Sequence, residues 1–132
     1  MKQTAKGEFN VKLAPQALAD ADADASLGRL SLDKQFHGNL EATSKGEMLS
    51  ARSSVQGSAG YVAIERVTGT LHGRSGSFVL QHSGTMDRGT PSLSVSVVPD
   101  SGTDELAGLV GSMHIDIRDG KHYYSFDYAL PD

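Results

Sequence analysis

The chain has 132 residues, a net charge of −4 and no cysteine, so we expect a single domain over residues 1–132 without disulfides, thiolate chemistry or cysteine-based zinc sites. Its basic residues are scattered singly; because nucleic-acid binding needs a basic stripe that neutralises phosphates, we expect no nucleic-acid partner. The sequence carries neither an apolar signal-peptide core nor a run of about 20 apolar residues, so we expect no membrane partner and a cytoplasmic location.

Period-two alternation of apolar and polar residues dominates the chain and predicts β-strands. The first run carries Phe9, Val11 and Leu13, and the acidic stretch 15–25 that follows it is expected to be a loop. In chain order, the predicted strands are 9–13, 27–36, 38–43, 47–55, 61–71, 77–85, 93–97, 105–117 and 124–128.

The breaks between these runs carry residues that favour turns. Pro15 is expected to end the first strand, and turns are predicted at 44–46 and 73–76. Asp119-Gly120 is a hairpin signal, because both residues accept the positive φ angles of a two-residue turn. No long helix is predicted anywhere in the chain.

Eight or nine strands separated by turns are typical of an all-β sandwich or barrel. Many of the predicted strands approach ten residues in length, and Gly69, Gly84, Gly108 and Gly111 are expected inside strands, where a sheet bends sharply to close. These features favour a barrel. A barrel of eight antiparallel strands has an interior that side chains fill or that holds one small ligand.

Glu65 and Arg66 are the first candidate site residues. Adjacent strand residues point to opposite faces, so only one of the two can face inward. Glu65 shares its face with Tyr61, and both faces of this strand are mostly apolar, which suggests that another subunit or a loop covers part of the outer wall. An interior Glu65 predicts a carboxylate of raised pKa that acts as a base or binds a polar ligand group; the alternative is a structural ion pair across strands.

Gln81 and His82 present the same choice, with His82 on the face of Phe78 and Leu80. The inward residue of the pair is a candidate ligand contact, and a hydrogen-bonded core histidine is the alternative. Glu47 is a further candidate that begins a predicted strand and is expected to point inward. Tyr61 could line a pocket with its hydroxyl, although packing of the aromatic ring in the core is the alternative.

Metal ligation is not expected. Asp20, Asp22 and Asp24 resemble the start of a calcium loop, but Ala25 stands where such a loop needs Gly and Ser31 where it needs a bidentate Glu. The five histidines have neither the i, i+2 spacing of neighbouring strand ligands nor an HExxH motif. We therefore predict no metal and no cofactor.

Three phrases carry a resemblance to a known family: GEMLSA at 46–51, the stretch 57–86, and VVPDSGTDELAGLVG at 97–111. The chain resembles an uncharacterised bacterial family of unknown function whose structures are similar to the allene oxide cyclase barrel. The resemblance implies a closed or nearly closed eight-stranded antiparallel barrel of the calycin-like type, and a homo-oligomer. It implies no activity, because the family has none assigned, and the activity of allene oxide cyclase is not carried over to this sequence.

Two function hypotheses and a structural alternative follow. The first is a binding module that holds a small amphipathic ligand near Tyr61, Glu65 or His82. The second is an isomerase or cyclase in which Glu65 or Glu47 is the general base and His82 or Gln81 stabilises negative charge. In the third, polar groups fasten the strands of a filled barrel that serves as an assembly unit.

Overall fold

In the computed structural model, residues 2–20 and 25–132 are described. Eight strands, hydrogen-bonded to their neighbours in chain order, form a closed antiparallel barrel in which the last strand pairs with the first. The predicted all-β barrel is therefore confirmed. The strands are β1 (Lys2–Gln16), β2 (Leu27–Gly38), β3 (Leu40–Arg52), β4 (Ala59–Leu71), β5 (Arg74–Asp87), β6 (Thr90–Val97), β7 (Val110–Arg118) and β8 (Lys121–Ala129).

Three of the hairpins turn on two residues with positive φ, a geometry that matches the twist of the flanking strands. These turns are His72-Gly73, Arg88-Gly89 and Asp119-Gly120, and the last was predicted from its sequence. The turn predicted at 73–76 is shorter than expected, because β5 already begins at Arg74. Asp22 and Asp24 of the acidic loop lie outside the described residues.

Two predicted breaks prove to be strand interior. Pro15 does not end the first strand but lies within β1, where it pairs with Leu30 of β2. The strand tolerates it because β1 pairs with β8 only as far as Phe9, which leaves an edge-like segment beyond. The predicted strands 38–43 and 47–55 are one strand, β3. Gly46 does not form a turn. It allows β3 and β4 to approach closely, because a Cβ at this position would lie 2.0 Å from the carbonyl oxygen of Ile64.

The predicted strand 105–117 is wrong over its first part. A 3₁₀ helix occupies Asp104–Leu106, and β7 begins only at Val110. Leu106 and Leu109, three residues apart, are both fully buried, a spacing that fits one helical turn and not an alternating strand. Gly108 lies in the connection that follows, with a φ of 81°, and is therefore not a strand residue as predicted.

One end of the barrel is filled with hydrophobic side chains. Phe78 and Phe126 stack with their ring centroids 5.7 Å apart, and the buried Leu106 of the 3₁₀ helix lies in the same core cluster. The Tyr124 hydroxyl accepts the N–H of Leu40 at 2.9 Å, which ties β8 to the start of β3. This filled end carries the β2–β3 and β4–β5 turns and the β6–β7 connection.

The junction between β6 and β7 is much shorter than the others. In the part of the chain that the structure describes, a single register pair, Ser96 with Ser112, joins these strands. By contrast, the pairing of β5 with β6 runs from Leu80 to Asp87. The described residues contain no helix that is long and apolar enough to span a membrane.

Candidate functional site

The opposite end of the barrel holds a cavity of about 500 Å³, a volume within the range of small-molecule sites. Its wall is mostly apolar, and its polar residues are few. The apolar lining includes Phe9, Val11, Leu13, Met48, Leu93 and Ile115, and the polar or ionisable lining includes Lys34, Tyr61, His82 and His122.

At the floor of this cavity lies a buried polar cluster of Lys34, Ser44, Glu65 and His82, the Glu65 cluster. Consecutive strands β2, β3, β4 and β5 supply one member each, and all four side chains point inward by the period-two rule. Glu65 is 0% exposed. One of its carboxylate oxygens lies 2.7 Å from the Lys34 Nζ and 2.6 Å from the His82 Nε2, and the other accepts the Ser44 hydroxyl at 2.7 Å.

These contacts keep Glu65 ionised. Burial, the largest influence, would by itself raise the pKa of the Glu65 carboxyl, but three donor side chains outweigh burial and lower that pKa to about 2. The hydrogen bond from His82 acts most strongly, followed by the charge and hydrogen bond of Lys34 and then the Ser44 hydroxyl. The raised pKa predicted from the sequence is therefore wrong, because that prediction did not include the partners that stabilise the charged form.

The ionised carboxylate fixes the hydrogen on His82. A carboxylate only accepts hydrogen bonds, so Nε2 carries the hydrogen and donates it to Glu65. The other ring nitrogen, Nδ1, lies 3.5 Å from the Tyr61 hydroxyl, at the limit of hydrogen-bond distance. When His82 is neutral, Nδ1 is an acceptor, and the Tyr61 hydroxyl is its donor.

The structure brings together three of the six candidate residues. Tyr61 and His82 line the cavity, and Glu65 lies directly behind them, hydrogen-bonded to His82. The alternative reading of Glu65 as a member of an ion pair across strands describes its contacts, and the alternative of a hydrogen-bonded core histidine describes His82 equally well.

The other three candidates lie on the outer surface. Glu47, Arg66 and Gln81 are exposed, and Glu47 pairs there with Arg29 at 2.5 Å. The inward Glu47 expected from the sequence is wrong because β3 is continuous: Ser44 faces inward, and Glu47, an odd number of residues later, faces outward. None of these three contributes to the cavity.

Two members of the Glu65 cluster, Lys34 and Ser44, were not predicted. The signal for Lys34 is positional, since it stands between Leu32 and Phe36 in the alternation of β2 and therefore shares their inward face. Ser44 carried no such signal, because it fell in a predicted turn.

The outer face of β4 carries large apolar side chains, as the sequence indicated. Val62 is 52% exposed and Ile64 is 55% exposed, and Leu49 of β3 lies directly opposite Val62. That a second subunit covers this face, as expected for a homo-oligomer, stays a prediction.

Fold and cavity together define a class of protein: a closed, eight-stranded antiparallel barrel that is filled at one end and hollow at the other. A family model described as "Protein of unknown function (DUF3224)" matches residues 5–128, and the chain belongs to this family. The predicted membership of a family of unknown function is thus confirmed.

A solved relative has the same fold. It is a crystal structure of a protein of unknown function from the DUF3224 family of Shewanella oneidensis MR-1, with 50% sequence identity and a TM-score of 0.94. The match covers 100% of this chain and 99% of that chain. No functionally curated protein matches the sequence.

Proposed function

We propose that this barrel binds a small amphipathic molecule, with the apolar part in the cavity and the polar group at the floor. The observation that carries the proposal is the cavity of about 500 Å³ whose apolar wall ends on Lys34, Tyr61 and His82. A pocket of mainly hydrophobic side chains with a few convergent polar groups is the usual form of a small-molecule site.

The wall supplies the driving force for binding. Leu13, Met86 and Leu93 line the cavity and are 40–50% exposed, so an apolar chain entering the barrel would cover them. Each square ångström of apolar surface removed from water contributes about 25 cal/mol. Large apolar side chains left open to water at the entrance of a cavity favour an apolar ligand.

The floor supplies orientation. The Lys34 ammonium has three N–H donors, of which one is directed to Glu65. Its Nζ also lies 4.9 Å from the ring centroid of Phe9, and the side chain is buried. The Glu65 cluster holds Lys34 and His82 in fixed positions before any ligand arrives, and such preorganisation lowers the entropic cost of binding.

The alternatives have less support. A barrel filled throughout would lack the cavity that lies above the Glu65 cluster. An isomerase or cyclase with Glu65 as general base would rely on a weak base, because both carboxylate oxygens already accept hydrogen bonds and the pKa is lowered to about 2.

The test is calorimetric titration with a series of straight-chain alcohols and carboxylic acids, paired with two matched variants. Ser50 lines the cavity, whereas its neighbour Leu49 points outward and is 51% exposed. Ser50→Phe should fill the cavity and abolish binding, and Leu49→Phe should leave it unchanged. Absence of saturable binding across the series, or full binding by Ser50→Phe, would refute the proposal.

A further inference from the structure

The ionisable side chains that line the cavity are basic, apart from one tyrosine. They are Lys34, Arg52, Tyr61, His82 and His122, and the lining of the described cavity contains no carboxylate. The nearby interior carboxylate, Glu65, lies behind Lys34 and His82 and is fully buried. The protein as a whole carries a net charge of −4, so the basic lining does not follow from composition.

Charge balance inside the barrel limits which ligand fits. Lys34 and Glu65 neutralise each other at 2.7 Å, so the floor is neutral when His82 is neutral. A negatively charged ligand group beside Lys34 would leave one uncompensated negative charge in a low-dielectric site, which is costly. A proton on His82 removes this cost, because two cations then face two anions.

We infer that the ligand is an organic anion with an apolar chain, and that His82 takes up a proton from solvent as the anion binds beside Lys34 and Tyr61. This inference rests on the proposed ligand-binding function and adds the charge of the ligand. The single bond formed is the Nδ1–H bond of His82, made with a proton that water or a buffer acid gives up, since Nε2 already donates to Glu65.

Tyr61 links His82 to the ligand through hydrogen bonds. When Nδ1 of His82 is protonated, it donates to the Tyr61 oxygen 3.5 Å away, and the tyrosine hydroxyl is free to donate to the bound anion. Burial, and secondarily the charge of Glu65, raise the pKa of Tyr61, so its hydroxyl keeps its hydrogen. Lys34 and Tyr61 would therefore contact the ligand, and His82 acts through them as a positioning residue.

Few other groups near the ligand could take up this proton in place of His82. From β4, Tyr61 and Glu65 face His82 directly, and from β2 Lys34 reaches it through the shared Glu65 oxygen. On the β6 side, the residue paired with His82 is the apolar Val95. The remaining basic residues of the lining are Arg52, exposed on β3, and His122 on β8, whose ring lies 5.1 Å from that of Phe9.

The experiment compares three probes of one chain length: octanoate, octanesulfonate and 1-octanol. Calorimetry in buffers of different ionisation enthalpy measures the protons taken up on binding, between about pH 6.5 and about pH 8.5, at and above the ordinary pKa of a free imidazole. Both anions should bind more tightly than 1-octanol and take up as much as one proton. The affinity for the anions should weaken by up to about tenfold for each unit by which the pH rises. Binding of 1-octanol should take up no protons and should not depend on pH.

Matched variants locate the proton. His82→Gln should lose the proton uptake and the pH dependence of anion binding, whereas His114→Gln, on the exposed outer face of β7, should keep both. Uptake with octanoate but not with octanesulfonate would place the proton on the ligand and overturn the inference. So would uptake that His122→Gln removes, a test that does not depend on the folding of His82→Gln.

Failure of this inference differs from failure of the proposed function. If 1-octanol binds as tightly as the anions and no protons are taken up, the ligand is not an anion, but the cavity still binds amphipathic molecules. If none of the three probes binds and their longer and shorter homologues do not bind either, both the proposed function and this inference are refuted.

Discussion

Glu65→Gln should destabilise the barrel more than any single surface change, because it leaves the Lys34 ammonium buried beside a neutral amide. Removing one partner of a buried ion pair costs about 3 to 5 kcal/mol. An independent route gives a similar figure: a pKa lowered from its ordinary 4.5 to about 2 corresponds to about 3 kcal/mol at neutral pH.

The pH dependence gives the sharper test. Because the folded-state pKa of Glu65 lies below the unfolded one, its stabilisation is complete above about pH 5 and is lost as the pH falls. About 2 kcal/mol of it should be gone by about pH 3. Urea denaturation across this range should show that the parent protein loses this amount relative to Glu65→Gln, so that the two stability curves converge in acid.

Two further variants serve as controls. Glu8→Gln on the exposed outer face of β1 should follow the parent curve closely. Lys34→Met added to Glu65→Gln removes the unpaired charge and should recover at least half of the lost stability, because the hydrophobic replacement of a whole ion pair is often near neutral. Parallel curves for the parent and Glu65→Gln, or a cost below about 1 kcal/mol at neutral pH, would show that Glu65 is not the buried anion described above.

Three other changes test the fold by urea denaturation. Gly46→Ala should cost about 3 kcal/mol of stability, because its Cβ would lie 2.0 Å from a carbonyl oxygen of β4. Gly60→Ala, whose nearest contact would be 3.7 Å, should be nearly neutral. Equal costs for the two variants would argue against the close strand approach. Tyr124→Phe should cost about 1 to 3 kcal/mol, because the buried N–H at the start of β3 loses its acceptor, and Tyr123→Phe should cost much less. Leu106→Ala should cost about 2 to 5 kcal/mol, since its side chain is 1% exposed, and a smaller loss would mean that the 3₁₀ helix does not close the filled end.

The strands were predictable because alternation is a local property. The predicted strand 93–97 lies within β6, where Val95 and Val97 are buried, and the Asp119-Gly120 turn is where its sequence placed it. The errors arose where a residue type has two uses. Gly46 indicated a turn but permits a close strand approach, and Leu106 fitted a strand run but belongs to a helical turn.

The site was less predictable for a physical reason. Alternation separates Glu65 from Arg66 but does not say which of them is inside, because the outer neighbours Val62 and Ile64 are as apolar as the inner ones. Lys34, which forms the buried ion pair with Glu65, lies thirty-one positions away in sequence. Only the register of β2 against β3 and of β3 against β4 brings these two side chains together.

The short junction between β6 and β7 gives the barrel a place where its circumference can change. Separating Ser96 from Ser112 interrupts one register pair, whereas parting any other neighbours would break a long ladder. Both strands also contribute to the cavity wall, through Leu93 and Ile115. Amide hydrogen exchange should therefore be fastest along this junction among the strand pairs, and a bulky guest could be accommodated by local widening without loss of the filled end.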